Sequence, residues 1–286
     1  MKNPEDLQPE IVQSRGIETG YLFSGRILKP WLGDISETDA DVIVNSIGSR
    51  ASFRNPIARS ILEAAGAGIR DEVHRYEPIR SGQIVVTHAG NLPKTRYLFH
   101  AVVTESDTKY YANPELIAIV SQRCVKLADL LFQSSLAMPA FGTGMGRADK
   151  KVAVKQILNA IIESLPGCET LETIVFATTS KETLALFYNQ TLSDLALARR
   201  EQDLRQALPT IPPQLYGLVG DVLLRMSDAR RSGLSPDALQ KEAEGLIRMA
   251  EELASHLPAG QKSAGVVQLI IATGNSIIRN VSLMSS

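Results

Sequence analysis

Several things are scarce in this 286-residue chain, and each scarcity excludes something. There are two cysteines, Cys124 and Cys168, too few for a disulfide scaffold or a four-ligand zinc site. Neither sign of charge is in surplus: 30 Lys+Arg against 31 Asp+Glu leave a formal net charge of -1. A protein that grips the nucleic-acid backbone needs an excess of cations, so a nucleic-acid partner is not expected. No apolar run approaches the length that crosses a bilayer. The polar, acidic stretch from Met1 to Gly16 lacks the apolar core of a signal peptide. A cytoplasmic protein without a membrane partner is expected. The four histidines are scattered: His74 and His256 read as surface residues, His88 and His100 as structural ones in or beside strands. No metal or other cofactor is expected.

What is present is ordinary globular sequence, 44% hydrophobic and 21% charged, with enough chain for a self-sufficient core. Residues 1–18 lack periodicity and are expected to form a loose arm or a short helix. Residues 19–194 alternate short apolar runs with amphipathic stretches. Asp41–Asn45, Gln83–Thr87, Tyr97–Val103, Ser135–Phe141 and Thr173–Ala177 read as strands, rich in β-branched residues or continuously apolar. Helices are expected after Pro56, ending at Gly66, after the Asn113 cap with Pro114 in its first turn, from about Asp149, and from Lys181 to Gln190. Cys124 falls on the apolar face of the second of these and reads as core. Residues 195–286 show helical patterning broken at Leu208–Pro213, Ser232–Pro236 and Leu257–Gly260. They predict a small bundle of three or four helices.

Strands alternating with helices, without two-fold polarity, predict an α/β fold with a mixed, mostly parallel sheet covered on both faces. Ligands of such sheets lie beyond the carboxyl ends of the strands. There the chain carries Pro139-Ala-Phe-Gly-Thr-Gly-Met-Gly146, between a strand and a helix. Consecutive small residues let main-chain N–H groups turn towards an anion. No Lys-Ser or Lys-Thr follows, so this is no Walker loop, and the spacing and late position do not fit a Rossmann fingerprint. Alone, the loop reads equally as a phosphate cradle or a tight turn. Gly33-Asp34-Ile35 offers a carboxylate that can accept from an exocyclic amine such as that of adenine; alone, it reads as a surface turn.

Taken in order, Trp31–Ile35, Ala40–Ser46, Ile61–Gly66, Gly82–Pro93, Tyr97–Val102 and Met138–Gly146 resemble the macrodomain family over roughly Tyr21 to Leu192. The resemblance implies a three-layer α/β/α sandwich that binds ADP-ribose in a surface cleft. It implies that Asp34 contacts the adenine amine with the Ile35 main chain assisting, and that Gly142, Thr143, Gly144, Met145 and Gly146 wrap the diphosphate; Gly33, Ala140, Phe141 and Arg147 are further ligand-binding candidates beside them. Asn45 would lie near the distal ribose, and Thr178 and Thr179 would line the adenine end.

The chain also departs from the family's hydrolases. Gly48 stands where those carry a second asparagine, Ala58 where they carry an acid, and no glycine run forms a first phosphate loop. Arg50, Arg54 and Arg147 are the candidates to replace that loop with charged donors. The resulting expectation is noncatalytic binding of ADP-ribose or a related NAD-derived nucleotide, with residues 195–286 docking a protein partner. The alternative is a hydrolase removing ADP-ribose or acyl groups, in which Asn45 would be the catalytic residue.

Overall fold

The computed structural model describes residues 11–14, 18–104, 112–144, 147–210, 213, 216–232, 236–255, 267–268, 270–272, 274–275 and 278. Its described residues divide into two units, those up to Gln190 and those from Thr191 onward.

The first unit is built on one sheet of eight strands in the order β1-β2-β3-β8-β7-β4-β6-β5. These are β1 (Ile11–Ser14), β2 (Glu18–Phe23), β3 (Arg26–Leu32), β4 (Val42–Ile47), β5 (Ile84–His88), β6 (Tyr97–Val102), β7 (Ser135–Pro139) and β8 (Thr173–Thr178). The five strands from β3 to β6 run parallel, while the β1-β2-β3 end and the β5 edge are antiparallel. This is the mixed, mostly parallel sheet expected. Residues 11–14 correct one expectation: they are not part of a loose arm but pair with β2, Ile11 opposite Tyr21. Four residues are too short to show a period, and only the neighbouring strand makes them one. The β2–β3 hairpin closes in two residues, Ser24 (φ 49) and Gly25 (φ 75). Both sit in the left-handed region that matches the twist of a two-residue turn.

Helices α1 (Pro56–Ala65), α2 (Gly68–His74), α3 (Pro114–Leu130), α4 (Lys150–Ser164) and α5 (Lys181–Ala207) complete the layers. Their starts obey local chemistry. Asn55 caps α1 through Ala58 N–H, Asn113 caps α3 through Glu115 N–H, and Asp149 caps α4 through Val152 N–H. The α1 face buries Ala58, Ile61 and Ala65 against Ile43, Ile47, Leu98 and Val102. On α3, Cys124 is fully buried and its thiol pKa is raised by burial, so it is core, as its position on the apolar face predicted. Two carboxylates pin loops under the sheet. Asp41 accepts from the main chain and hydroxyls of Ser134 and Ser135, and Asp129 from the main chain of Glu169, Thr170 and Leu171.

Within the second unit, α6 (Tyr216–Ser232) and α7 (Pro236–Ser255) pack together with the later part of α5. Leu204, Val219, Val222, Leu246 and Ile270 form their common core. Glu201 and Arg230 make an ion pair of 3.3 Å that is itself buried. Helices were expected here, and helices are present. No described helix is long and apolar enough to cross a membrane.

One buried polar chain crosses the core beneath the parallel strands. Asn45 Nδ2 lies 3.1 Å from His100 Nδ1, and His100 Nε2 lies 2.9 Å from Thr87 Oγ1. Thr87 Oγ1 donates to the His88 carbonyl at 3.0 Å, so it must accept from His100. The imidazole is therefore neutral with its proton on Nε2, and Asn45 donates to Nδ1. Burial lowers the His100 pKa from 6.5 to about 3. The unfolded chain therefore takes up the proton first, and stability falls as pH drops below 6.5. His100 alone should remove about 2 kcal/mol between pH 7 and pH 5. Urea unfolding at the two pH values should show this loss in the native protein, and His100→Gln should lack it.

Candidate functional site

The parallel register brings the carboxyl ends of β3, β4, β7 and β8 together, and a cleft of about 320 Å³ opens there. One wall comes from Gly33, Asp34 and Ile35 after β3. A second comes from Ser46, Ile47 and Gly48, which end and follow β4, with Ser52 and Asn55. A third is the loop Ala140–Gly144 after β7, and a fourth is Thr178, Thr179, Ser180 and Thr183 after β8. Residues from the two ends of the first unit meet because β3 and β8 pair in register, Leu32 opposite Thr178. Gly33 N–H extends that pairing to the Thr178 carbonyl at 3.0 Å.

Asp34 caps the 3-10 turn Ile35–Glu37. Its Oδ1 accepts from the Ser36 amide at 2.9 Å and the Ser36 hydroxyl at 2.8 Å; its Oδ2 accepts from the Ser60 hydroxyl at 2.5 Å. Burial acts to raise its pKa, but the bonds from Ser60 and Ser36 outweigh it and hold the carboxyl below its usual range. A carboxylate has about four lone-pair sites, so room remains for one donor from the cleft. The group is fixed, charged and acceptor-only.

Opposite, the glycine loop is folded on its own carbonyls. Thr143 Oγ1 donates to Ala140 O at 2.7 Å, Arg147 N to Gly144 O at 3.1 Å, and Ala148 N to Gly142 O at 2.9 Å. The N–H groups of Gly142, Thr143 and Gly144 donate to nothing among the described residues. Consecutive unpaired amides in front of a helix start form a concave site for an anion. Gly142 has to be glycine on two counts. Its φ is 84, and a Cβ would lie 2.7 Å from Ala112 Cβ and 2.9 Å from Ile117 Cδ1. Met145 and Gly146 lie outside the described residues.

Among the described residues, the cation in the wall of this cleft is Lys150, the first residue of α4, whose ammonium pairs with Glu182 at 2.6 Å. Arg54 and Arg147 are exposed and, like Arg50, do not line the cleft among the described residues. In sequence the conspicuous charge lies in the unusual first loop, whereas a lysine behind a helix cap reads as an ordinary surface residue. Ser52, Asn55, Ser180 and Thr183, which carry no motif of their own, join the lining as well. Asn55 does double duty: its Oδ1 caps α1 at Ala58 N and its Nδ2 donates to the Ser46 carbonyl at 2.7 Å, tying the first loop to the β4 end. Asn45 is placed differently from the other candidates. It is fully buried, held by His100 behind the cleft, with Oδ1 unpartnered. Ala58 is also fully buried. Gly48 lines the cleft. Among the described residues no cluster of His, Cys, Asp or Glu could hold a metal.

The architecture is a sandwich with its cleft at the strand ends, walled by an amide-rich loop and a fixed acid. The Macro domain family model matches residues 44–157. An uncharacterised protein of Sulfurisphaera tokodaii is 30% identical over 167 residues, covering 57% of this chain and 90% of that protein. Ganglioside-induced differentiation-associated protein 2 of Bos taurus is 24% identical over 253 residues; the match covers 85% of this chain, reaching into the helical unit, and half of that protein's length. A mutant Oceanobacillus iheyensis macrodomain with ADPR superposes with a TM-score of 0.56 at 20% identity, covering 62% of this chain and 98% of that one. This chain belongs to the macrodomain family.

Two substitutions probe the site's construction. Asn55→Ala removes a helix cap and the tie to Ser46, and should lower stability by about 1–2 kcal/mol in chemical denaturation. Gly142→Ala should be worse, about 2–3 kcal/mol from strain and crowding together, and it should displace the loop amides.

Proposed function

We propose that the cleft binds ADP-ribose, or a related NAD-derived nucleotide, and does not turn it over. The observation that carries this reading is the pairing of two complementary walls: unpaired amides at Gly142, Thr143 and Gly144 for a diphosphate, and the fixed Asp34 carboxylate for a base amine. Macrodomains of similar fold hold ADPR, which fits both. In this reading the open lone pair of Asp34 Oδ2 accepts from the adenine amine, and the Ile35 amide assists. The loop amides hold the diphosphate, and Lys150, released from Glu182, supplies the charged donor that the altered first loop lacks. Thr179 contributes to the adenine end.

The absence of turnover rests on the cleft's chemistry. Among the described lining residues the one carboxylate is Asp34, and its lowered pKa makes it a poor base. Ala58 and Gly48 supply nothing that positions water. Asn45 is engaged with a neutral histidine rather than with the cleft. The helical unit, with Tyr216 and Leu224 exposed on α6, is assigned the docking of a protein partner, and the cytoplasm is the compartment where an NAD-derived ligand would be met.

Titration calorimetry with ADP-ribose tests the reading. Asp34→Ala should weaken binding by about 1–3 kcal/mol, as expected for hydrogen bonds to a charged group. Lys150→Ala should weaken it less and reduce its dependence on salt between low and physiological ionic strength. No ADP-ribose should be released from an ADP-ribosylated protein. Release that disappears in Asn45→Ala would establish a hydrolase instead, and unchanged affinity in both variants would remove the cleft from the argument.

A further inference from the structure

The sheet's β5 edge offers a second binding surface, at the opposite edge of the sheet from β1. Strand β5 is last in the sheet order, and no described strand pairs with its outer side. Its ladder with β6 has Val102 N donating to Gln83 O and aligns Val85 with His100 and Thr87 with Leu98. Hydrogen-bonded pairs alternate in an antiparallel ladder, so Gln83, Val85 and Thr87 face β6 while Ile84 and Val86 turn N–H and C=O outward. Proteins usually blunt such an edge with a lysine, a proline, a bulge or a covering element. The stretch Gln83-Ile-Val-Val-Thr-His88 contains neither lysine nor proline, and the one bulge, where Gly82 N–H and Gln83 C=O both pair with Val102, comes before Ile84 and leaves the strand's outer side open.

A groove crosses this edge. It encloses about 590 Å³ between the segment after α2, with Tyr76 and Ile79, and α3, with Leu127 and Leu130; Ile84 and Val85 form its floor. Tyr76 is 57% exposed and Leu130 71%. Both are large apolar surfaces left to solvent beside unpaired backbone. The charged lining residues are Arg123 and Lys126, both exposed, and no acid lines the groove among the described residues. Arg123 also donates to the Gly82 carbonyl at 2.5 Å, which holds it over the start of β5.

We propose that this edge receives an extended segment of a partner protein, one that alternates apolar and acidic residues, as an additional strand beside β5. Ile84 and Val86 supply the main-chain pairing. Alternate side chains of the incoming strand then fall to the two sides of the sheet, as in other strand additions. The apolar ones pack against Tyr76 on the α2 side of the edge, and the acidic ones, turned to the α3 side, meet Lys126 and the remaining donors of Arg123. This surface is independent of the nucleotide cleft and does not depend on what the cleft binds.

The probe is a fluorescent, end-blocked peptide, Glu-Val-Glu-Ile-Glu-Val-Glu, with two controls: the same peptide with Lys for Glu, and one with Pro for the central Ile. Anisotropy measures affinity on the full chain, and amide hydrogen exchange locates the contact. Binding of the acidic peptide is expected, with both controls weaker by about tenfold or more. Exchange at Ile84 and Val86 should slow when it binds. Lys126→Glu combined with Leu130→Asp should abolish binding while leaving the thermal midpoint and any ADP-ribose affinity as they were; Lys126→Glu alone should weaken it. The proposal is overturned by no binding up to about 1 mM, by equal affinity for the three peptides, by unchanged affinity in the double variant, or by protection that appears on β1 rather than β5.

Discussion

Parallel pairing of β3, β8, β7 and β4 is the constraint on which the rest depends. Parallel neighbours point their carboxyl ends the same way, so loops that begin at Gly33, Gly48, Ala140 and Thr179 are delivered to one side of the sheet. Each strand then needs a crossover to return the chain, and the helices that make those returns cover both faces and bury the core. The cleft is what remains at the strand ends once the layers have closed. Its contents are set by four loops that are remote in sequence and adjacent only because of strand order.

The polar groups at this end of the fold are arranged by a common rule, in which a side chain settles local backbone valences and in doing so fixes a functional surface. Asp34 caps its own turn and is left with one open lone pair. Asn55 caps α1 and ties down the Ser46 carbonyl. The glycine loop closes on Gly142 O and Gly144 O and leaves its amides unspent. Asn45, His100 and Thr87 apply the same rule in the dry interior, where the result is a neutral, immobile imidazole rather than a site. The difference lies in solvent access: an unpaired donor at the cleft can be met by water or a ligand, whereas one in the core has to be met by the protein.

Much of the fold was legible along the chain. The β4, β6, β7 and β8 strands carry continuous apolar or β-branched runs, and α1, α3 and α4 announce themselves by Asn55-Pro56, Asn113-Pro114 and Asp149. The site was legible in part. Gly33-Asp34-Ile35 and the loop from Ala140 to Gly144 stand out because their residue types are unusual for a simple turn, and both line the cleft. Lys150 was not legible, since a lysine after a helix cap has the same local appearance wherever the helix points. The arginines of the first loop were the opposite case: conspicuous in sequence, yet outside the cleft wall once α1 had docked.

The sequence by itself determined strands β4 to β8, the starts of α1, α3, α4 and α5, and which loops are rich in small residues. Those properties depend on neighbours three or four positions away, through backbone sterics and local hydrogen bonds. Tertiary structure alone decided that residues 11–14 form a strand, because a four-residue strand exists only through its partner. It alone decided that Asn45 faces His100 rather than the cleft, and that Lys150 rather than Arg54 reaches it. It also left the outer side of β5 without a described strand partner. Each of these depends on which strand lies beside which, and that order is fixed by burial of surfaces far apart in the chain, a quantity that no local pattern contains.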